Sequence, residues 1–365
     1  MAKIRSERLD QLTFTRCIAA LVVVCFHFGE GIWPIDSQPL ADILRAGPQV
    51  VTYFYVLSGF LMTAVHFNLD WSGASDYWIS RFARIYPVYI LGLFSYLWLM
   101  PDYNMVDLLL NLTLIQAWFP GHALSLNTVG WSLSVEVLFY ALFPLLIIAA
   151  RRTSTLSWCF IVFAVWLCTQ VGASFFYDNF YTGYPSASHE FLFYFPLIHL
   201  NSFLLGMTAA LLVQRDALHF GATAARASVV FSLVGIALGL HGENDIYDLT
   251  GLHLFGTVGF LSPVFALLIA GLCSLNAPVL AATPLRFLGQ ASYAVYILQI
   301  PVMIALKLNF PDLQPAAFFW ILVAVLTIAS SFVFVAFETP CRHLVRKTFF
   351  VLRRRYSPAP MVGQS

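Results

Sequence analysis

Residues 12–29 read LTFTRCIAALVVVCFHFG, close to the roughly 20 apolar residues that a helix needs to cross a bilayer's hydrocarbon core. Arg16 and His27 interrupt it. The two positions are eleven residues apart; at about 100° per residue they return to within about 20° of one another, so both project from one helix face, separated by about 16 Å along the axis. A lone arginine near a helix end reads as a snorkelling side chain, and a lone histidine as a hydrogen-bonded interfacial one. Two on one face point instead to a polar path through the protein.

The rest of the 365-residue chain follows the same pattern: 60% of residues are hydrophobic, 10% are charged, and mean hydropathy is +0.79. So few charges cannot cover that much apolar surface in water, so the bilayer is the solvent. The apolar runs predict ten spans: Leu12 to Gly29, Pro48 to Phe67, Ile85 to Met100, Val129 to Ala150, Leu156 to Phe176, Leu192 to Val213, Ala227 to Leu240, Leu254 to Leu275, Ala291 to Leu306 and Ala316 to Phe337. The fold expected is therefore all-α and polytopic. Leu108 to Phe119 is too short and reads as interfacial or re-entrant. A basic start (Lys3, Arg5, Arg8) before the first span resembles a secretory signal, but with Arg16 and His27 inside and no small-residue cleavage site it is expected to stay as an uncleaved helix.

Charge position tests the count. With the N-terminus cytoplasmic, Arg81, Arg84, Arg151, Arg152, Arg215, Arg226, Arg286 and the basic C-terminal segment all fall inside. Of the 19 Lys and Arg residues only Arg45 and Lys307 fall outside, as the positive-inside rule requires. Carboxylates lean outward, among them Glu30, Asp36, Asp42, Asp107, Asp178 and Glu190. Net charge is +1, which gives no reason to expect a nucleic-acid partner. The six cysteines form no CxxC and no ligand-like group with histidine, so neither disulfides nor a metal site is expected. Residues 1–352 read as one membrane domain and 353–365 as a short, basic, disordered cytoplasmic tail.

Three further segments carry polar groups. RFARIYPVYI (81–90) puts Arg81 and Arg84 on one helix face, where two guanidinium groups can grip a phosphate or anchor topology. WSLSVEVLFYALFPLL (131–146) places Ser132, Glu136 and Tyr140 at i, i+4 and i+8, a polar stripe whose carboxylate must face a partner or a wet cavity. FYVLSGFL (54–61) contains Ser58 and Gly59, a small pair suited to close packing; Ser58 lacks the surroundings of a nucleophilic serine. The outer stretch YDNFYTGYPSASHE (177–190) suits an interfacial belt or a sugar-binding surface.

Together these segments resemble the acyltransferase-3 family of bacterial membrane O-acyltransferases. Arg16 and His27 are similar to its arginine, ten residues, histidine motif, and Arg81 and Arg84 to its R-x-x-R. FYVLSGFL, WSLSVEVLFY, LGQASYAVYILQIP (288–301) and FETP (337–340) match further elements in order. Two positions depart from the pattern: Gln299, where members often carry histidine, and Thr52, where an acidic residue is frequent. The resemblance implies a multi-pass protein of the bacterial inner membrane and an acyl-CoA donor, commonly acetyl-CoA. Arg16, Arg81 and Arg84 would hold the cofactor phosphates. His27 is then the general base, Glu136 orients His27 or an incoming hydroxyl, and Ser58, Ser132 and Tyr140 line the substrate path. The acceptor implied is a hydroxyl of a surface or lipid-linked carbohydrate. A transporter or flippase is the rival reading and a structural scaffold a third. Acyl chain length and oligomeric state are not legible, and a homo-oligomer stays open.

Overall fold

The computed structural model describes residues 6–37, 41, 47–218, 220–241, 243–275 and 277–356. Lys3, Arg5, Asp42 and Arg45 of the charge partition, and the expected tail beyond Tyr356, lie outside the described residues. Nine helical stretches among the described residues are long and apolar enough to cross a membrane, and a tenth apolar helix is shorter. The chain is an all-α polytopic membrane protein, and the ten stretches correspond in order to the ten predicted spans.

The elements are α1 (Ser6–Phe28), α2 (Gly47–His66), α3 (Ala74–Leu99), the short α4 (Met105–Leu112), α5 (Trp131–Arg152), α6 (Thr155–Phe180) and α7 (Ala187–Tyr194). There follow α8 (Leu200–Gln214), α9 (Ala222–His241), α10 (Glu243–Thr250), α11 (Ser262–Ser274), α12 (Thr283–Asn309) and α13 (Pro315–Val333). A π-helical turn, Phe334–Glu338, runs directly into α14 (Thr339–Tyr356). The segment predicted as interfacial is α4 plus a 3-10 turn at Gln116–Trp118, too short to cross.

Side-chain bonds between helix ends show which ends lie together. Gln11 donates to Leu275 O and Arg286 pairs with Asp10. Arg151 pairs with Asp70, Arg215 donates to Ala150 O, and Gln214 to Ala64 O. At the opposite end Tyr89 donates to Asn111 O, His253 pairs with Asp178, and Glu190 accepts from the backbone of Gly121 and Ala123. The bundle therefore has one arginine-rich end, as the alternation of charges required.

Three differences from the expected spans bear on the site. Helix α3 begins at Ala74 rather than near Ile85, so Arg81 and Arg84 sit about two turns inside it. The last span does not stop at Phe337 but continues as one helical rod through the π turn. The eighth span is helical only over its second half: Gly259 adopts φ +101°, a conformation costly for other residues, and Pro263 starts α11. The irregular stretch before it is held by side chains of three helices, α2, α6 and α8, because hydrocarbon offers exposed carbonyls no partner. Thr52 donates to Gly256 O and Thr257 O, Gln170 and Asn201 to Val258 O, and Trp166 to Gly259 O. Thr52 can do this because a hydroxyl donates; an ionised carboxylate there could only accept.

Helices α1, α2, α3, α5, α8 and α12 form the interior, while α6, α9 and α13 turn large apolar side chains such as Leu156, Phe231 and Phe332 outward. Backbones of α2 and α8 nearly touch: a Cβ on Gly59 would lie 2.1 Å from Phe203 O, and one on Gly206 1.9 Å from Val56 O. Small residues permit such an approach, which is how helices associate where lipid removes the hydrophobic drive. Gly206→Ala should cost about 1–3 kcal/mol and lower the thermal midpoint in detergent. Gly172→Ala, whose Cβ meets nothing within 4 Å, should leave it unchanged.

Candidate active site

Within the bundle two adjoining cavities of about 70 and 40 Å3 share Arg16, Phe54, Glu136 and Tyr293 as walls. The first is also lined by Ser58, Arg81, Arg84 and Tyr140, and the second by Tyr55, Ser132 and Tyr296. Five helices meet there: α1 supplies Arg16, α2 Ser58, α3 both arginines, α5 the Ser132, Glu136 and Tyr140 stripe, and α12 the tyrosines. Seven of the eight predicted site residues thus converge on one polar interior, and His27 stands apart from it.

Inside the cavities the carboxylate of Glu136 accepts from Tyr140 Oη at 2.9 Å. This is the i, i+4 contact that the α5 stripe implied. Arg81 donates to Met62 Sδ at 3.4 Å, with its guanidinium over the Tyr77 ring. Arg84 pairs through Nη1 with Glu338 Oε1 and lies over the Tyr293 ring, 5.8 Å from its centroid. Glu338 is fully buried. It sits in the π turn of the FETP segment, and π turns inside helices recur at functional sites. Arg84 is therefore less independent than its motif implied, since one of its donors is already committed.

His27, at the far end of α1, reaches the surface between the rings of Phe26 and Phe28. Its Nδ1 lies 2.9 Å from Oε1 of the buried Gln299, while Gln299 Nε2 donates to Tyr296 O at 2.8 Å. An amide oxygen only accepts, so Nδ1 carries the proton and Nε2 keeps its lone pair. The hydrogen-bond partner of the His27 ring is Gln299, while Glu136 bonds Tyr140. Tyr293, Tyr296 and Gln299 occupy successive turns of α12 and lead from the cavities to the histidine. A polar column thus runs from the arginine-rich end to His27.

Sequence reading missed Glu338, Gln299, Tyr293, Tyr296 and Phe54 as parts of this column. Two signals were present: a carboxylate at the end of a span demands a partner, and LGQASYAVYILQIP carries a polar residue at each turn.

The match to the family model described as an acyltransferase domain extends over residues 9–336. The chain belongs to the acyltransferase-3 family. It is similar to the acyltransferase MdmB of Streptomyces mycarofaciens, 31% identical over 229 residues, 58% of this chain and 59% of that protein. A putative acetyltransferase, ORF330, of Acidianus two-tailed virus is 26% identical over 81% of this chain and 83% of its own length. The putative peptidoglycan O-acetyltransferase YrhL of Bacillus subtilis (strain 168) is 24% identical over 79% of this chain. The match spans about three fifths of MdmB and about half of YrhL. No solved structure matches.

Removing one partner of a buried ion pair costs about 3–5 kcal/mol, while replacing both by apolar residues is often neutral. Arg84→Met should therefore unfold at markedly lower temperature than the native protein. Arg84→Met combined with Glu338→Leu should recover most of the loss.

Proposed function

We propose that this protein is a membrane O-acyltransferase that moves an acyl group, in the first place acetyl, from cytoplasmic acyl-CoA to a hydroxyl of a surface or lipid-linked carbohydrate. Support comes chiefly from the polar column, with arginines at one end and an oriented histidine with a free lone pair at the other. Membership in an acyltransferase family favours this over the transporter and scaffold readings. The name of the relative YrhL supports a glycan acceptor and an acetyl group. The positive-inside rule supports a cytoplasmic arginine-rich end, and with it a place in a bacterial inner membrane.

On this reading Arg81, Arg84 and Arg16 hold the donor phosphates, and the pantetheine arm extends outward past Ser58, Ser132 and Tyr140. His27 Nε2 takes the proton of the acceptor hydroxyl as its oxygen attacks the thioester carbonyl carbon. The C–S bond breaks, and the departing CoA thiolate recovers the proton from the imidazolium. Gln299 keeps the ring in the required tautomer throughout. Glu136 and Tyr140 form the polar lining of the passage, where Glu136 can also orient the hydroxyl. The cavities hold only a few waters, so the arm enters by displacing the shared walls, Phe54 and Tyr293.

His27→Ala should abolish transfer from labelled acetyl-CoA to a glycan while the protein remains folded; retained turnover removes His27 from the reaction. In the native enzyme only neutral imidazole can accept the proton, so the rate should fall once acid protonates the His27 ring. A rate with no acid limb down to the pH at which the protein unfolds contradicts the base role. Gln299→Leu should lower kcat and leave KM for acetyl-CoA little changed.

A further inference from the structure

Beside Arg81 and Arg84 lies a third guanidinium that no motif singled out. Helices α3 and α14 pack against each other and run in opposite directions, since α3 begins and α14 ends at the arginine-rich end. The Arg84–Glu338 pair fixes their register. Moving one turn toward that end from each partner leads to Arg81 on α3 and to Arg342 on α14. The packing of the two helices and the Arg84–Glu338 register bring Arg342 alongside Arg81 and Arg84. Arg342 is half-buried, and Arg346, one turn further on, is exposed.

The charges here do not balance. Glu338 answers Arg84 through one oxygen, and its Oε2 is buried with no hydrogen-bond partner among the described residues. Among the described residues the hydrogen bonds and ring contact of Arg81 go to neutral groups, the Met62 sulfur, the Ser80 hydroxyl and the Tyr77 ring. Neither Arg81 nor Arg342 has a carboxylate partner among the described residues. Glu136 is the other carboxylate of the cavity, and it is bonded to Tyr140. Like charges gathered in a half-buried place repel strongly unless an anion lies between them. Guanidinium forks match phosphate oxygens in geometry, and Arg84 still has Nε and Nη2 to offer beyond its bond to Glu338.

We propose that Arg342 completes, with Arg81 and Arg84, a phosphate-binding site that takes the nucleotide end of the acyl donor, and that Glu338 is the positioning residue that holds Arg84 and α14 in place. The inference rests on the donor reading above and adds to it a ligand from outside the region matched by the family model. The C-terminal helix thereby becomes part of the donor site. A lipid phosphate headgroup offers the same chemistry, and the experiment separates the two sources.

The test is titration of the full chain in zwitterionic nanodiscs with CoA, and separately with pantetheine, which lacks the phosphates. Arg342→Gln should weaken CoA binding by about tenfold or more, the scale of one charged hydrogen bond, and leave pantetheine binding unchanged. Arg342→Lys should lie between Arg342→Gln and native protein. Inorganic pyrophosphate should compete with CoA on the native protein, which needs no variant to fold. Unchanged CoA affinity in Arg342→Gln, equal loss for pantetheine, or absence of pyrophosphate competition overturns the proposal while leaving the donor reading standing. A variant that changes binding to anionic vesicles but not to CoA assigns Arg342 to lipid headgroups and also overturns it. If native protein binds no CoA, the donor reading falls together with the inference.

Discussion

Hydrocarbon offers no hydrogen bonds, so each polar group carried into this bundle has to find its partner inside the protein. The buried pair of Arg84 and Glu338 is the strongest expression of that constraint. It ties α3 to the rod formed by α13, the π turn and α14, and fixes which turn of one faces which turn of the other. The same rule places Thr52, Gln170, Asn201 and Trp166 around the irregular stretch before α11. It also turns Glu136 toward Tyr140 and Gln299 toward His27. Lipid solvation thus organises the polar column: groups that cannot face outward are collected along one interior line.

The fold was legible because its cause is repetitive. Apolar runs near bilayer length recur, arginines mark alternate loops, and both signals average over many residues. Much of the site was legible for a similar reason. Arg16 with His27, Arg81 with Arg84, and Ser132 with Glu136 and Tyr140 are local spacings that a helix converts into a shared face. What stayed hidden were pairings between distant segments. Nothing in FETP names Arg84 as the partner of Glu338, and nothing in YILQIP names His27 as the partner of Gln299. Those contacts are set by how helices pack, and a spacing within one helix carries no record of them. Helix ends were misplaced where local chemistry overrode hydropathy, as with the early start of α3 and the broken span before α11.

Gln299 stands where the family pattern often has a histidine. Its amide accepts from Nδ1 of His27 and donates to Tyr296 O, so the imidazole tautomer is fixed by a group that never titrates. The arginine-rich end is built differently, from several charges held at close quarters and only partly neutralised. One end of the column suits orientation of a proton carrier, and the other suits the capture of an anion. Chemistry divided in this way would let a donor and an acceptor reach one reaction centre from opposite faces of the membrane.

Sidedness is the central claim, and proteoliposomes of known orientation measure it directly. Acetyl-labelled acetyl-CoA is placed at the face bearing the arginine-rich end and a chitooligosaccharide at the face bearing His27, with the membrane sealed between them. The account predicts labelled acetyl ester on the oligosaccharide and free CoA left on the donor side, and no transfer when the two compounds exchange sides. Transfer only when both share one face, or intact acetyl-CoA recovered across the membrane, would contradict it.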